Sequence, residues 1–187
     1  YLPNTAIIVT AVPAIGYQFG SWSDDAKAAS ATRTLILKND TTLTPIFVKT
    51  YNLSLSATDG GSVIGAKSGA YAEGTAVTVK AEPAAGYQFV QWSDGAKAAE
   101  RTISLTSDST LKAQFVKVCK VTLTATTGGS VSGATSDAVY TAGEALTLKA
   151  VPAEGYSFAG WSDGVSDSVR TVTLTGDLTL QAKFEKL

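Results

Sequence analysis

The feature that most constrains this chain is an internal repeat with a period of about 70 residues. Its marker is the motif Pro-x-x-Gly-Tyr-x-Phe-x-x-Trp-Ser-Asp, which begins at Pro13, Pro83 and Pro152. A repeat of this kind is typical of small modules in a tandem array, where each module contacts its neighbours. The sequence therefore predicts several copies of one module instead of a single large domain.

Several rare residue types follow the same period. All Trp, Arg and Phe residues, and six of the seven Tyr residues, recur at equivalent positions. We interpret most of these positions as the structural residues that define the repeat. They are Tyr17, Phe19, Trp22, Arg33 and Phe47; Tyr87, Phe89, Trp92, Arg101 and Phe115; and Tyr156, Phe158, Trp161, Arg170 and Phe184.

The first copy is shorter than the others. Tyr1 aligns with Tyr71 and Tyr140, so the first copy lacks the opening segment of the repeat. We predict a partial repeat at residues 1–49, without its first two strands, followed by full repeats at 50–118 and 119–187. The edge of the partial repeat is expected to be unpaired unless another strand covers it.

Short alternating segments separated by turns predict the fold class. In the second copy, six segments alternate polar and apolar residues or are rich in strand formers, and Gly, Pro or Asp separates them. No window shows the spacing of an amphipathic helix. We predict an all-β chain of tandem small β-rich modules, either β-grasp-like or a small sandwich or barrel, in an elongated array. The connection between Phe115 and Val121 is short, which favours a stiff junction.

The composition excludes several function classes. The chain has 15 basic and 16 acidic residues, which gives no basic surface for nucleic acid. No apolar run approaches the ~20 residues that would span a bilayer as a helix. There is no His, so a Ser-His-Asp triad is impossible. We therefore expect no enzyme, no cofactor, no metal, no nucleic-acid partner and no membrane insertion.

Three alternatives concern the recurring polar and aromatic residues. The Trp residues suit either a sugar-stacking platform or the core, and we favour the core. Each Arg is expected to pack on a Trp ring rather than bind an anion. The Asp of each Trp-Ser-Asp turn is expected to bond the local backbone rather than hold Ca²⁺.

Cys119 is expected to be a half-buried strand residue, with an intermolecular link as the alternative.

The motif set resembles the divergent internalin-type B-repeat family of bacterial surface proteins. The resemblance rests on residues 58–63, 71–95 and 113–115, and again on 127–131, 140–164 and 182–184. The first copy departs from the motif in two ways: Asp25 replaces the Gly of the Trp-Ser-Asp-Gly turn, and the loop before Arg33 is two residues longer. The resemblance implies exported, multi-copy β-rich modules at the cell surface or outside the cell. It implies no enzymatic activity and no ligand site.

These observations lead to one functional hypothesis and two alternatives. We expect non-catalytic structural or adhesive stalk repeats of a bacterial extracellular or cell-surface protein. The first alternative is a self-assembling subunit of an extracellular filament or sheath, in which a neighbouring chain completes the first repeat. The second is a glycan-binding module. The expected partners are neighbouring repeats or subunits of the same type, and a host or surface glycan or protein.

Overall fold

The structure is a computed structural model that describes all residues from Tyr1 to Leu187. It is built from sixteen strands and contains no helix, so no helix is present that could cross a membrane. The strands are β1 (Thr5–Thr10), β2 (Tyr17–Trp22), β3 (Thr32–Leu37), β4 (Pro45–Ala57), β5 (Gly61–Gly65), β6 (Gly69–Ala72), β7 (Ala76–Pro83), β8 (Tyr87–Trp92), β9 (Glu100–Ser104), β10 (Ser109–Ala125), β11 (Gly129–Ser132), β12 (Ala138–Thr141), β13 (Ala145–Pro152), β14 (Tyr156–Trp161), β15 (Val169–Thr173) and β16 (Leu178–Lys186).

The residues group into two compact units, and repeat two contributes to both. The first unit comprises Tyr1–Ser56, Val63–Ala81 and Trp92–Lys112. The second comprises Ala57–Ser62, Glu82–Gln91 and Ala113–Leu187. The prediction of an all-β chain of small β-rich modules is confirmed.

The first unit is organised around antiparallel pairs. Strand β1 pairs with β3 over its whole length, from Thr5 opposite Leu37 to Thr10 opposite Thr32. Strand β7 pairs with β9. The first half of β4 pairs with β2, and its second half pairs with β6. Strand β4 therefore crosses the border between repeats one and two without interruption.

The second unit contains the complete third repeat. Strands β11, β13 and β15 form an antiparallel three-stranded sheet. Strand β14 pairs with β16 in antiparallel fashion, whereas β10 pairs with β16 in parallel and with β12 in antiparallel. The parallel pair places Leu123 opposite Leu180.

The core of the third repeat follows from the alternation along its strands. In β13, Leu146, Leu148 and Ala150 are buried and the residues between them are exposed. Burying alternate faces of several strands in one cluster removes apolar surface from water, at about 25 cal/mol per Å². The buried cluster consists of Cys119, Val121, Leu123, Leu146, Leu148, Ala150, Trp161, Leu174, Leu180, Ala182 and Phe184.

The border between repeats two and three has no linker. The sequence predicted two strands joined by a short connection, but β10 is one strand of 17 residues. Its odd-numbered residues are buried on both sides of the border, from Leu111 to Phe115 and from Cys119 to Leu123, and Lys117 between them is exposed. Cys119 keeps the parity and is fully buried, not half-buried as expected.

Two short strands, β6 and β12, were not predicted from the sequence. Strands β6 and β12 have four residues each and pair with β4 and β10. Such short segments do not show enough alternation to be recognised. Glu73 and Gly74 form a turn directly after β6.

Candidate functional site

The Trp residue of each repeat lies inside the fold. Trp22, Trp92 and Trp161 are 4%, 0% and 2% exposed. The indole N–H groups donate to backbone carbonyls of the following loop: Trp22 to Ser30 at 3.0 Å, Trp92 to Ala98 at 2.9 Å and Trp161 to Asp167 at 2.9 Å. A buried ring with a satisfied N–H is a packing residue. The structure therefore places the three Trp residues in the core, as the sequence predicted.

A β-bulge brings Trp161 beside Phe158. The spacing of these residues left open whether a bulge intervenes or Trp faces the other side. The pairing of β14 with β16 shifts between Phe158 and Gly160, where Gly160 has φ of +133°. The bulge brings the two ring centroids to 5.6 Å in an edge-on arrangement. Repeat one has the same shift, and its Phe and Trp rings are 5.4 Å apart.

The Arg and the Asp that recur in each repeat form an ion pair. Arg170 contacts both carboxylate oxygens of Asp163 at 2.7 Å and lies over the Trp161 ring, 5.9 Å from its centroid. Arg33 makes the same contact with Trp22, so the predicted packing of Arg on Trp is confirmed in these two repeats. The ion pair itself was not predicted. Its signal was the recurrence of one Asp and one Arg in each repeat, seven positions apart in repeats two and three and nine apart in repeat one.

The other two repeats form the same ion pair. Arg33 lies 2.8 Å from Asp24, and Arg101 lies 2.6 Å from Asp94. In all three repeats the hydrogen bond from Arg holds the pKa of the Asp carboxyl below its usual value. The three carboxylates are therefore engaged with cations of the same chain.

The expected bonding of these Asp residues to the local backbone is also observed. Asp94 accepts from the Ala96 N–H at 3.2 Å, and Asp163 accepts from the Val165 N–H at 3.4 Å. In repeat one, the neighbouring Asp25 takes this role and accepts from the Lys27 N–H at 3.0 Å. The structure contains no group of three or more acidic or Cys side chains arranged to hold a metal.

The Gly-Gly turn at the start of a full repeat packs beneath the marker motif. Gly128 lies against the Tyr156 ring, and Gly129 lies against the Phe184 ring, with no space for a Cβ atom at either position. In repeat two, Gly60 lies against Tyr87 and Gly61 against Phe115 in the same way. From the sequence, these glycines are recognisable only as turn residues. Their distant aromatic partners could not be recognised from local spacing.

The first repeat has the marker motif without this turn. Tyr17 is 48% exposed, and Phe47 is only half-buried. In repeats two and three, the equivalent Phe115 and Phe184 are 7% and 8% exposed. Where the opening segment is absent, the same aromatic residues therefore stay more open to solvent.

The fold and the engaged side chains together define a tandem-repeat protein of small all-β modules. The chain belongs to the divergent InlB B-repeat domain family, whose model matches residues 1–50, 51–119 and 119–187. This family is a non-catalytic repeat type that is typical of bacterial surface proteins. No curated protein matches the chain. The resemblance inferred from the motifs is confirmed.

Proposed function

We propose that these repeats are non-catalytic stalk modules of a bacterial extracellular or cell-surface protein. The observation that carries this proposal is the pair of strands, β4 and β10, that pass from one repeat into the next without a loop. A spacer has to hold successive modules in series, and a continuous strand does this more firmly than a flexible linker.

Hydrogen bonds hold the second junction on both sides. The Val118 N–H donates to the Gly86 carbonyl at 2.9 Å, and the Lys117 carbonyl accepts from the Ala142 N–H at 2.9 Å. The Lys120 N–H donates to the Asp177 carboxylate at 2.8 Å. Backbone groups on either side of the border are thus hydrogen-bonded to different turns of the fold. A force applied along β10 would have to break several of these hydrogen bonds together.

The chemistry of the repeated side chains supports a structural role. The Trp rings are buried, the Arg side chains are paired with Asp, and the Asp carboxylates also bond the backbone of their own turn in two repeats. Residues used in this way stabilise the module. The buried Trp rings also remove the stacking surface on which a glycan-binding role would rest.

A surface-display experiment tests the stalk function. The chain is placed between a bacterial surface anchor and a terminal epitope tag, and antibody access to the tag is measured on cells that carry a polysaccharide coat. We expect better access with this chain than with a same-length variant destabilised by Trp161→Ala and Trp92→Ala. Equal access for both would overturn the spacer role. Saturable binding of the folded chain on a broad glycan array would instead support the glycan-binding alternative.

A further inference from the structure

Three Asp residues of this chain are followed directly by Gly. The pairs are Asp59-Gly60, Asp94-Gly95 and Asp163-Gly164. In an Asp-Gly sequence the glycine carries no side chain, so its amide nitrogen can reach the carboxyl carbon of the Asp side chain and displace water from it. This reaction needs a carboxyl that is free to turn toward the amide. It also needs the neutral form of the carboxyl, because the hydroxyl has to leave as water.

The fold restrains the Asp-Gly pair in the Trp-Ser-Asp-Gly turn of repeat two. Asp94 accepts from Arg101 at 2.8 and 2.6 Å and from the Ala96 N–H at 3.2 Å. The nitrogen that would attack is also engaged, because the Gly95 N–H donates to the Trp92 carbonyl at 2.9 Å. The hydrogen bond from Arg101 lowers the pKa of Asp94, which reduces the fraction of neutral carboxyl at neutral pH.

Repeat three restrains its own Asp-Gly pair in the same way. Both carboxylate oxygens of Asp163 accept from Arg170 at 2.7 Å, and one also accepts from the Val165 N–H at 3.4 Å. The Gly164 N–H donates to the Trp161 carbonyl at 3.0 Å. Both Trp-Ser-Asp-Gly turns are therefore held at the carboxylate and at the glycine amide.

Asp59, in the opening turn of repeat two, has none of these restraints. Its side chain is exposed and forms no hydrogen bond or ion pair. The Gly60 N–H likewise donates to no group of the chain. In repeat three the same position of the turn is Thr127, which has no carboxyl to react. The opening turn of repeat two therefore contains an Asp-Gly pair whose carboxyl and amide are both free.

We propose that Asp59 isomerises spontaneously to isoaspartate and that this change loosens the packing beneath Tyr87. The Gly60 amide nitrogen attacks the side-chain carboxyl carbon of Asp59, and the carboxyl hydroxyl leaves with the amide hydrogen as water, which gives a cyclic imide. Water then opens the imide. Attack at the main-chain carbonyl leaves Gly60 attached through the side chain, as isoaspartate, and attack at the other carbonyl restores aspartate. Water is the only co-reactant, and this covalent ageing step goes beyond the stalk function.

Isoaspartate adds one carbon atom to the backbone of a turn that is tightly packed. Gly60 lies against the Tyr87 ring with no space for a Cβ atom. The Gly60 carbonyl accepts from the Ala84 N–H at 2.9 Å, which fixes the turn to the marker motif. A longer backbone displaces Gly60 from both groups, so isomerisation weakens repeat two at this turn.

The test uses the full chain, aged for several weeks at neutral pH in water labelled with heavy oxygen. Each passage through the imide places a labelled oxygen in the residue, whichever product forms, and electron-transfer mass spectrometry separates isoaspartate from aspartate. We expect label and isoaspartate at Asp59 to exceed those at Asp94 and Asp163 about tenfold or more, because a charge-assisted hydrogen bond restrains only the latter two. The matched control is Asp59→Thr, which reproduces the turn of repeat three and should leave it unlabelled. Equal labelling of the three Asp residues, or none at Asp59, would overturn the proposal.

Ageing in denaturant shows whether the fold causes the difference. Without the hydrogen bonds from Arg, all three Asp-Gly pairs should react at similar rates, and a preference for Asp59 that persisted there would overturn the structural cause. In the isomerised fraction of the folded chain, the Ala84 amide should exchange about tenfold faster than in the unaged chain. Unchanged exchange at Ala84 would overturn the proposed loosening beneath Tyr87.

Discussion

Gly128 lies directly against the ring of Tyr156, and a Cβ atom added to this glycine would overlap the ring carbons. The same contact joins Gly60 and Tyr87 in repeat two. The turn that opens a full repeat and the marker motif near its centre are therefore one packing unit. This relationship explains why the Gly-Gly turn and the Gly-Tyr-x-Phe motif occur together in both full copies.

Substitution of Gly128 by Ala should destabilise the second unit strongly. The residue has φ of +103°, where a Cβ atom costs about 1–2 kcal/mol. The overlap with Tyr156 adds about 1–3 kcal/mol of overpacking. The control is Gly143→Ala, because Gly143 has φ of +90° but no heavy atom near the added Cβ. Chemical denaturation should show a clearly larger loss for Gly128→Ala, and equal losses would contradict the packing interpretation.

Removal of the buried indole should be among the most damaging changes to repeat three. Trp161→Ala deletes a ring that is 2% exposed and leaves the Asp167 carbonyl without its donor. We expect a loss of about 3–5 kcal/mol in the free energy of unfolding. Val169→Ala, at a position that is 51% exposed, should change it by about 0.5 kcal/mol or less. A small effect of Trp161→Ala would show that the ring is not a core residue.

The Trp rings should also be shielded from a quencher in solution. Because all three are at most 4% exposed, iodide should quench the native fluorescence weakly and the unfolded fluorescence strongly. Strong quenching in the folded protein would mean that the rings are available to a ligand, which would restore the glycan-binding alternative.

The Asp–Arg pairs predict how stability responds to acid. The hydrogen bond from Arg170 holds the pKa of Asp163 below its ordinary value of 3.8 in the folded state. The pair therefore stabilises the fold above about pH 3.8, and this contribution is lost as the pH falls through the lowered pKa. We expect Asp163→Asn to flatten the fall in Tm below that pH.

A double-variant comparison isolates this pair. Arg170→Gln should flatten the acid response in the same direction as Asp163→Asn, because either change removes the bond that lowers the pKa. The combined variant should show little further flattening. If the two effects simply add, the acid response arises from other carboxylates and the proposed cause is wrong.

Much of the fold could be predicted from the sequence because the sequence contains three copies of the module. The alternation over residues 75–81 predicted a strand there, and the structure has β7 over Ala76–Pro83. The bulge at Gly160 could only be posed as one of two options. The alternation of side chains along a strand shows that Phe158 and Trp161 can lie on one face only if the strand pairing shifts between them. It does not show whether the backbone makes this shift.

The rest depended on contacts between distant parts of the chain. The ion pair of Arg101 with Asp94 required the loop between them to fold back, and the glycine–aromatic contacts join residues that lie far apart in sequence. The continuity of β10 was missed since the repeat boundary suggested a connection there. The sequence signal for one strand was the run of apolar residues at odd positions from Leu111 to Phe115 and again from Cys119 to Leu123, which Lys117 interrupts.

The most direct test of the stalk proposal is amide exchange across the second junction. The amides of Val118 and Lys120 lie on either side of the repeat border, and each donates a hydrogen bond. We predict that both exchange as slowly as the amide of Leu148 in β13, at the centre of the third repeat. Exchange at the rate of an exposed loop would show a flexible linker between the repeats and would contradict the proposal.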